Sequence, residues 1–166
     1  MDNAIVLFLL RAIHVVGGIL WVGGVVVVAL FLTPAVQVLG PAAQPVMQFI
    51  MGKRKLPVYL MSLGILTTLA GILLMMRNVK LTGGAWARSP MGIGISIGAT
   101  AAILALIVGM AVSAPAARRL GPPKTGAAPL TDQERAALMR RLAVAGNVTL
   151  VLLCIAALFM ATARYF

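Results

Sequence analysis

The chain has 166 residues, 61% of them apolar and only 10% charged, with a formal net charge of +11. A water-facing surface calls for about 25% charged residues, so a soluble globular domain is excluded. A single cysteine, Cys154, rules out an intramolecular disulfide, and a single histidine, His14, rules out any site that takes two histidines from one chain.

Four apolar stretches follow one another. Ala4 to Leu32 is interrupted only by Arg11 and His14; Leu56 to Met76, Met91 to Ala117 and Leu142 to Ala163 carry no charge. Each reaches the ~20 residues that cross a bilayer as a helix. Backbone polar groups in hydrocarbon must be paired within their own segment, so the stretches are helices rather than strands. The expected fold is all-α: one integral membrane four-helix bundle, with helices at about 4–32, 56–76, 90–113 and 132–163. The first charge is Asp2, where a signal peptide would carry Lys or Arg, so the first helix is expected to be retained.

Between helices 1 and 2, Pro34, Pro41 and Pro45 interrupt the chain, and Val46 to Lys55 reads as a short helix leading into helix 2. Gly94 and Gly98 form a GxxxG on helix 3, continued by Ala102. Such a stripe serves close packing inside the bundle or the seam of a homo-oligomer, and the first is the commoner use. Gly121-Pro122-Pro123-Lys124 makes a stiff polar break, and Thr131 to Glu134 reads T-D-Q-E, a capping box that opens helix 4. Trp86 and Tyr165 fall where interfacial aromatic anchors belong.

Charge sidedness gives an orientation. The first and third loops share a side and hold nine of the fourteen Lys and Arg: Lys53, Arg54, Lys55, Arg118, Arg119, Lys124, Arg135, Arg140 and Arg141. That side is expected to be cytoplasmic and both termini to lie on the outer side, in a multi-pass protein of the cell (plasma or inner) membrane. A basic rim against anionic membrane lipids accounts for the net charge, and no motif points to nucleic acid.

The one constellation with chemical content lies on helix 1: Arg11, His14, Gly17, Gly18, Trp21, Gly23 and Gly24. At ~100° per residue Trp21 returns to within about 20° of His14, with Gly17 and Gly18 between them. One face thus shows a nitrogen ligand, a small-residue notch and an indole wall, the shape that suits a flat macrocycle. Arg11, a turn outward, is placed to pair with a propionate. The competing reading is structural. A membrane histidine often hydrogen-bonds a neighbouring helix, with Ser62, Thr67, Thr68 and Asn147 as available partners, and the glycines are packing devices.

Arg11-Ala-Ile-His14 followed by Trp21-Val-Gly-Gly24 resembles the first-helix motif of the copper resistance protein D group, shared by the four-helix membrane protoporphyrinogen oxidases. Met51-Gly-Lys-Arg-Lys55 leading to Thr67, Thr68 and Gly71 is similar to their second helix, and Arg140-Arg141 with Asn147 and Thr149 is similar to the start of their last. The resemblance implies a four-helix bundle with His14 in the functional site and, from the oxidase branch, haem b bound through His14. Two departures separate the chain from that branch. Ser89-Pro-Met-Gly-Ile-Gly94 has no basic residue at the start of helix 3, and Val148 rather than an acid follows Asn147.

Two other functions compete with redox or electron-transfer chemistry at a haem. Copper transfer across or within the membrane draws on ten methionines, among them Met47 and Met51 a turn apart and the Met75-Met76 pair, since thioethers suit Cu(I). A non-catalytic accessory subunit of a larger membrane complex draws on the absence of acids within the membrane: Asp2, Asp132 and Glu134 all lie outside it, which leaves no carboxylate relay. Cys154 has no cation near it in sequence and is expected to be a buried, inert thiol.

Overall fold

The structure, a computed structural model, describes residues 3–121 and 130–165. The Pro122-Pro123-Lys124 part of the expected break and Asp2 lie outside the described residues. No strand occurs among the described residues, and four helical stretches are long and apolar enough to cross a membrane: Ala4–Lys53, Leu56–Leu81, Pro90–Leu120 and Asp132–Tyr165. The protein is an all-α, multi-pass membrane bundle.

Local chemistry sets most of the helix starts. Asn3 caps α1 (Ala4–Val27) by accepting a hydrogen bond from the Ile5 amide. Beyond α1 a π-helical turn, Val28–Leu32, continues into α2 (Thr33–Leu39). The prolines expected to interrupt this region instead open helical pieces. Pro34 starts α2, Pro41 the 3-10 turn Gly40–Ala43, and Pro45 starts α3 (Gln44–Gln48). Proline fits there because the first amides of a helix have no intrahelical partner to lose. A second π turn, Phe49–Lys53, follows, and the chain then reverses at Lys55, which adopts φ 51° and ψ 38°.

The second span, α4 (Leu56–Leu81), runs one helical turn past the expected Met76. It ends at a tight turn with Gly83 and Gly84 at positive φ, which glycine adopts without a Cβ clash. After the short α5 (Ala85–Arg88), Ser89 caps α6 (Pro90–Val108) by accepting from the Gly92 amide. Gly92 has to be glycine, since a Cβ there would run into the Trp86 carbonyl. A third π turn, Gly109–Ser113, leads into α7 (Ala114–Leu120). Thr131 and Glu134 form the expected reciprocal capping box, and α8 (Asp132–Thr162) crosses unbroken before a final 3-10 turn, Ala163–Tyr165.

The bundle is built from two close pairs, α1 with α4 and α6 with α8, which meet at a small core of Trp21, Val25, Ala105 and Leu153. Lipid tails are as apolar as leucine, so these pairs are held by close packing rather than by removal of surface from water. Gly98 shows how. A Cβ there would lie 3.1 Å from the Ala156 carbonyl oxygen and 3.0 Å from Met160 Cγ, so Gly98 packs against α8, and Gly94 of the same stripe is buried as well. Large apolar side chains such as Phe8, Ile19 and Phe31 point outward. Cys154 does too, and this corrects the expectation of a buried thiol: it follows the fully buried Leu153 on α8, about 100° around the helix from it.

Candidate functional site

All of the helix 1 constellation but Arg11, which is exposed, and Gly23, where a Cβ would meet nothing within 4 Å, lies on the face of α1 that packs against α4. Because the two helices run antiparallel, each large side chain on one meets a small residue on the other. The His14 ring sits on Gly71, where a Cβ would come 2.6 Å from Cε1 and 2.8 Å from Nδ1. Next inward, the Thr67 hydroxyl fills the notch at Gly17, and its methyl lies 3.6 Å from a Cβ built on Gly18. The Trp21 indole then covers Gly64, 2.8 Å from that residue's Cβ position, and Leu60 fills the notch at Gly24 at 2.5 Å. The rungs follow one another down the seam with alternating hand, and none tolerates an added methyl group without movement.

His14 is half-buried and hydrogen-bonds the main chain of α4: Nδ1 lies 2.8 Å from the Thr67 carbonyl oxygen. A carbonyl only accepts, so in the neutral imidazole Nδ1 carries the proton and Nε2 the lone pair. Nε2 makes no hydrogen bond among the described residues. A backbone carbonyl that fixes the tautomer and leaves the other nitrogen bare is the outer-shell arrangement of metal-bound histidines. At the donor atom, then, His14 fits an iron ligand. The slot expected between His14 and Trp21 is not open within this chain, because Thr67 and Gly64 of α4 already occupy that side.

Of the other expected participants, Arg11 is exposed at the same end of α1, one turn from His14. Ser62 and Asn147 are exposed, Asn147 on an outward face midway along α8, and neither meets His14. Among the described residues, three buried side-chain polar atoms lack hydrogen bonds: the Thr67 and Thr68 hydroxyls and Arg77 Nε. Arg77 was not among the expected site residues. It lies on α4 six residues beyond Gly71, toward the end of the bundle where Arg11 sits, which makes it a second cation on the His14 side. Its only signal in the sequence is its place at the end of an apolar run, which marks an anchor as readily as a ligand.

A second feature lies on the far side of Trp21. A cavity of about 160 Å³ opens between all four spans, walled in part by Trp21, Leu60, Ala105 and Thr149. Four methionines from three parts of the chain face it: Met47, Met51, Met61 and Met139. No group of three or more His, Cys, Asp or Glu side chains comes together anywhere among the described residues. Compared with family models, with characterised proteins and with solved structures, the chain matches none.

Proposed function

We propose that the protein is a small membrane redox component that presents His14 Nε2 to the iron of haem b. The observation that carries this reading is the 2.8 Å contact between His14 Nδ1 and the Thr67 carbonyl, which leaves Nε2 as a bare donor beside hydrocarbon. A lone pair that faces hydrocarbon has no water to bond, so the site favours a partner for that nitrogen. Gly71 lets the ring lie flat on α4, Thr67 fixes the tautomer, and Arg11 and Arg77 supply positive charge for propionates at the same end. When bound, the haem would supply one-electron chemistry. With one histidine per chain, any further ligand would be another side chain such as Met, or would come from a second copy.

The orientation that goes with this reading places both termini on the outer side of the cell membrane and the Lys53–Lys55 and Arg118–Arg141 ends in the cytoplasm. His14 is ten residues into α1, ~15 Å along its axis, so the iron would lie in the outer half of the membrane.

A second reading, copper transfer, is favoured by the four thioethers that face one cavity. One preparation separates the two. Protein produced with ample haem is examined by absorption spectroscopy and metal analysis, wild type beside His14→Ala. The haem reading expects a Soret band in the wild type that His14→Ala abolishes. A band that survives in His14→Ala eliminates His14 as the ligand. Copper without a Soret band, lost on Met51→Leu and Met139→Leu, supports the second reading against the first.

A further inference from the structure

We propose that the methionine-lined cavity is a lipid site that takes an acyl chain of an anionic membrane lipid, whose headgroup rests on the basic rim around the cavity. The site is separate from His14, on the other side of Trp21.

The lining is apolar and adaptable. Thioether side chains are unbranched and reshape themselves around a flexible guest. A dry cavity of about 150 Å³ holds a benzene-sized group, so one of about 160 Å³ takes a stretch of chain of roughly six carbons rather than a whole lipid or a tetrapyrrole. The space is also structurally built. Each of the three π-helical turns contributes to its wall: Val28 from the first, Met51 from the second, Gly109 and Ser113 from the third. A π turn widens a helix at a cost in hydrogen-bond geometry and is found most often at functional sites. Here all three of them border one cavity.

Charge identifies the headgroup. Leu56 and Pro57 of the wall directly follow Lys53, Arg54 and Lys55; Ala117 precedes Arg118 and Arg119; Met139 precedes Arg140 and Arg141. All seven cations are exposed, and of them only Arg119 acts electrostatically on a carboxylate among the described residues, that of Glu134. The carboxylates near them, Asp132 and Glu134, are two against seven, and Glu134 is engaged in the capping box with Thr131. An apolar cavity bordered by basic segments is complementary to an amphiphile with a negative head, and basic segments at a membrane surface favour anionic over zwitterionic lipid.

Trp21 reports on occupancy. It is 5% exposed, so lipid around the outside of the bundle does not reach it, yet it borders the cavity. The chain has only one other tryptophan, Trp86, so Trp86→Phe makes Trp21 the sole indole. That protein is placed in phosphatidylcholine vesicles in which a minor, equal fraction of lipid carries brominated acyl chains, on phosphatidylglycerol in one set and on phosphatidylcholine in the other. The expected result is quenching of Trp21 stronger by about twofold or more when phosphatidylglycerol carries the bromine. Replacing Lys53, Arg54 and Lys55 together by Gln should bring the two lipids close to equality. Gly146→Leu should lower quenching by both. Gly146 lines the cavity and a Cβ there meets nothing within 4 Å, so the new side chain enters the free space, and circular dichroism should show the helices intact. Equal quenching by the two lipids overturns the headgroup assignment. Absence of quenching, or quenching that Gly146→Leu leaves unchanged in a folded protein, overturns the site.

Discussion

A histidine inside a membrane has two nitrogens to satisfy, and His14 satisfies one of them on the Thr67 carbonyl. Because it is the only histidine, protein labelled with ¹⁵N-histidine gives one imidazole spin system. The expected outcome is a neutral ring protonated at Nδ1. Gly71→Ala should shift that signal strongly, since the new methyl group displaces the imidazole, while helical content stays the same. A ring protonated at Nε2 would remove the argument for a bare ligand nitrogen. The angular relation of His14, Gly17 and Trp21 was readable from helical periodicity alone, and so was the choice between a ligand and an interhelix hydrogen bond. Which of the two holds depends on the register between α1 and α4. Periodicity within each helix is blind to register: a glycine shows that something approaches closely but not whether that is Thr67 or a cofactor. Arg77 stayed hidden for the same reason.

The elements themselves were more legible, because their signals are local. The Thr131–Glu134 box opens α8 where the sequence pattern places it, since both hydrogen bonds are made within four residues. Proline was harder to interpret. Pro34, Pro41 and Pro45 signal a departure from regular helix, but whether a proline breaks a helix or starts one depends on the residues before it, and here the chain resumes helix at each. Lys55 carries no sequence signal for its left-handed backbone, which costs a residue with a Cβ roughly 1–2 kcal/mol. Lys55→Gly relieves that strain but leaves a more flexible unfolded chain, so a net stabilisation of about 1 kcal/mol or less is expected. Thermal unfolding in detergent measures it, and a clear loss of stability would mean that the Lys55 side chain contributes more than its backbone costs. Lys55→Val, β-branched at the same φ, should be destabilising in the same assay.

For the molecule as a whole, the alternation of four spans brings the Lys53–Lys55 segment and the Arg118, Arg119, Arg140 and Arg141 segments to one end, around one cavity. If that end is cytoplasmic, an enzyme reporter active only in the cytoplasm will be inactive when fused at the C-terminus, and active when inserted after Lys53; the reverse pattern inverts the orientation. The three π turns at this end have a consequence of a different kind. Relative to a regular α-helix each accommodates an extra residue, and one residue corresponds to about 100° of rotation. Deleting a single residue within Gly109–Ser113 would therefore hardly shorten the third span. It would close the turn to regular α-helix and leave Ala117 facing the cavity, whereas the same deletion in the regular part of α6 would turn α7 by about 100° and sweep Arg118 and Arg119 around the rim. Point substitutions change what lines this chamber, whereas a one-codon deletion changes which way its walls face unless one of the π turns absorbs it.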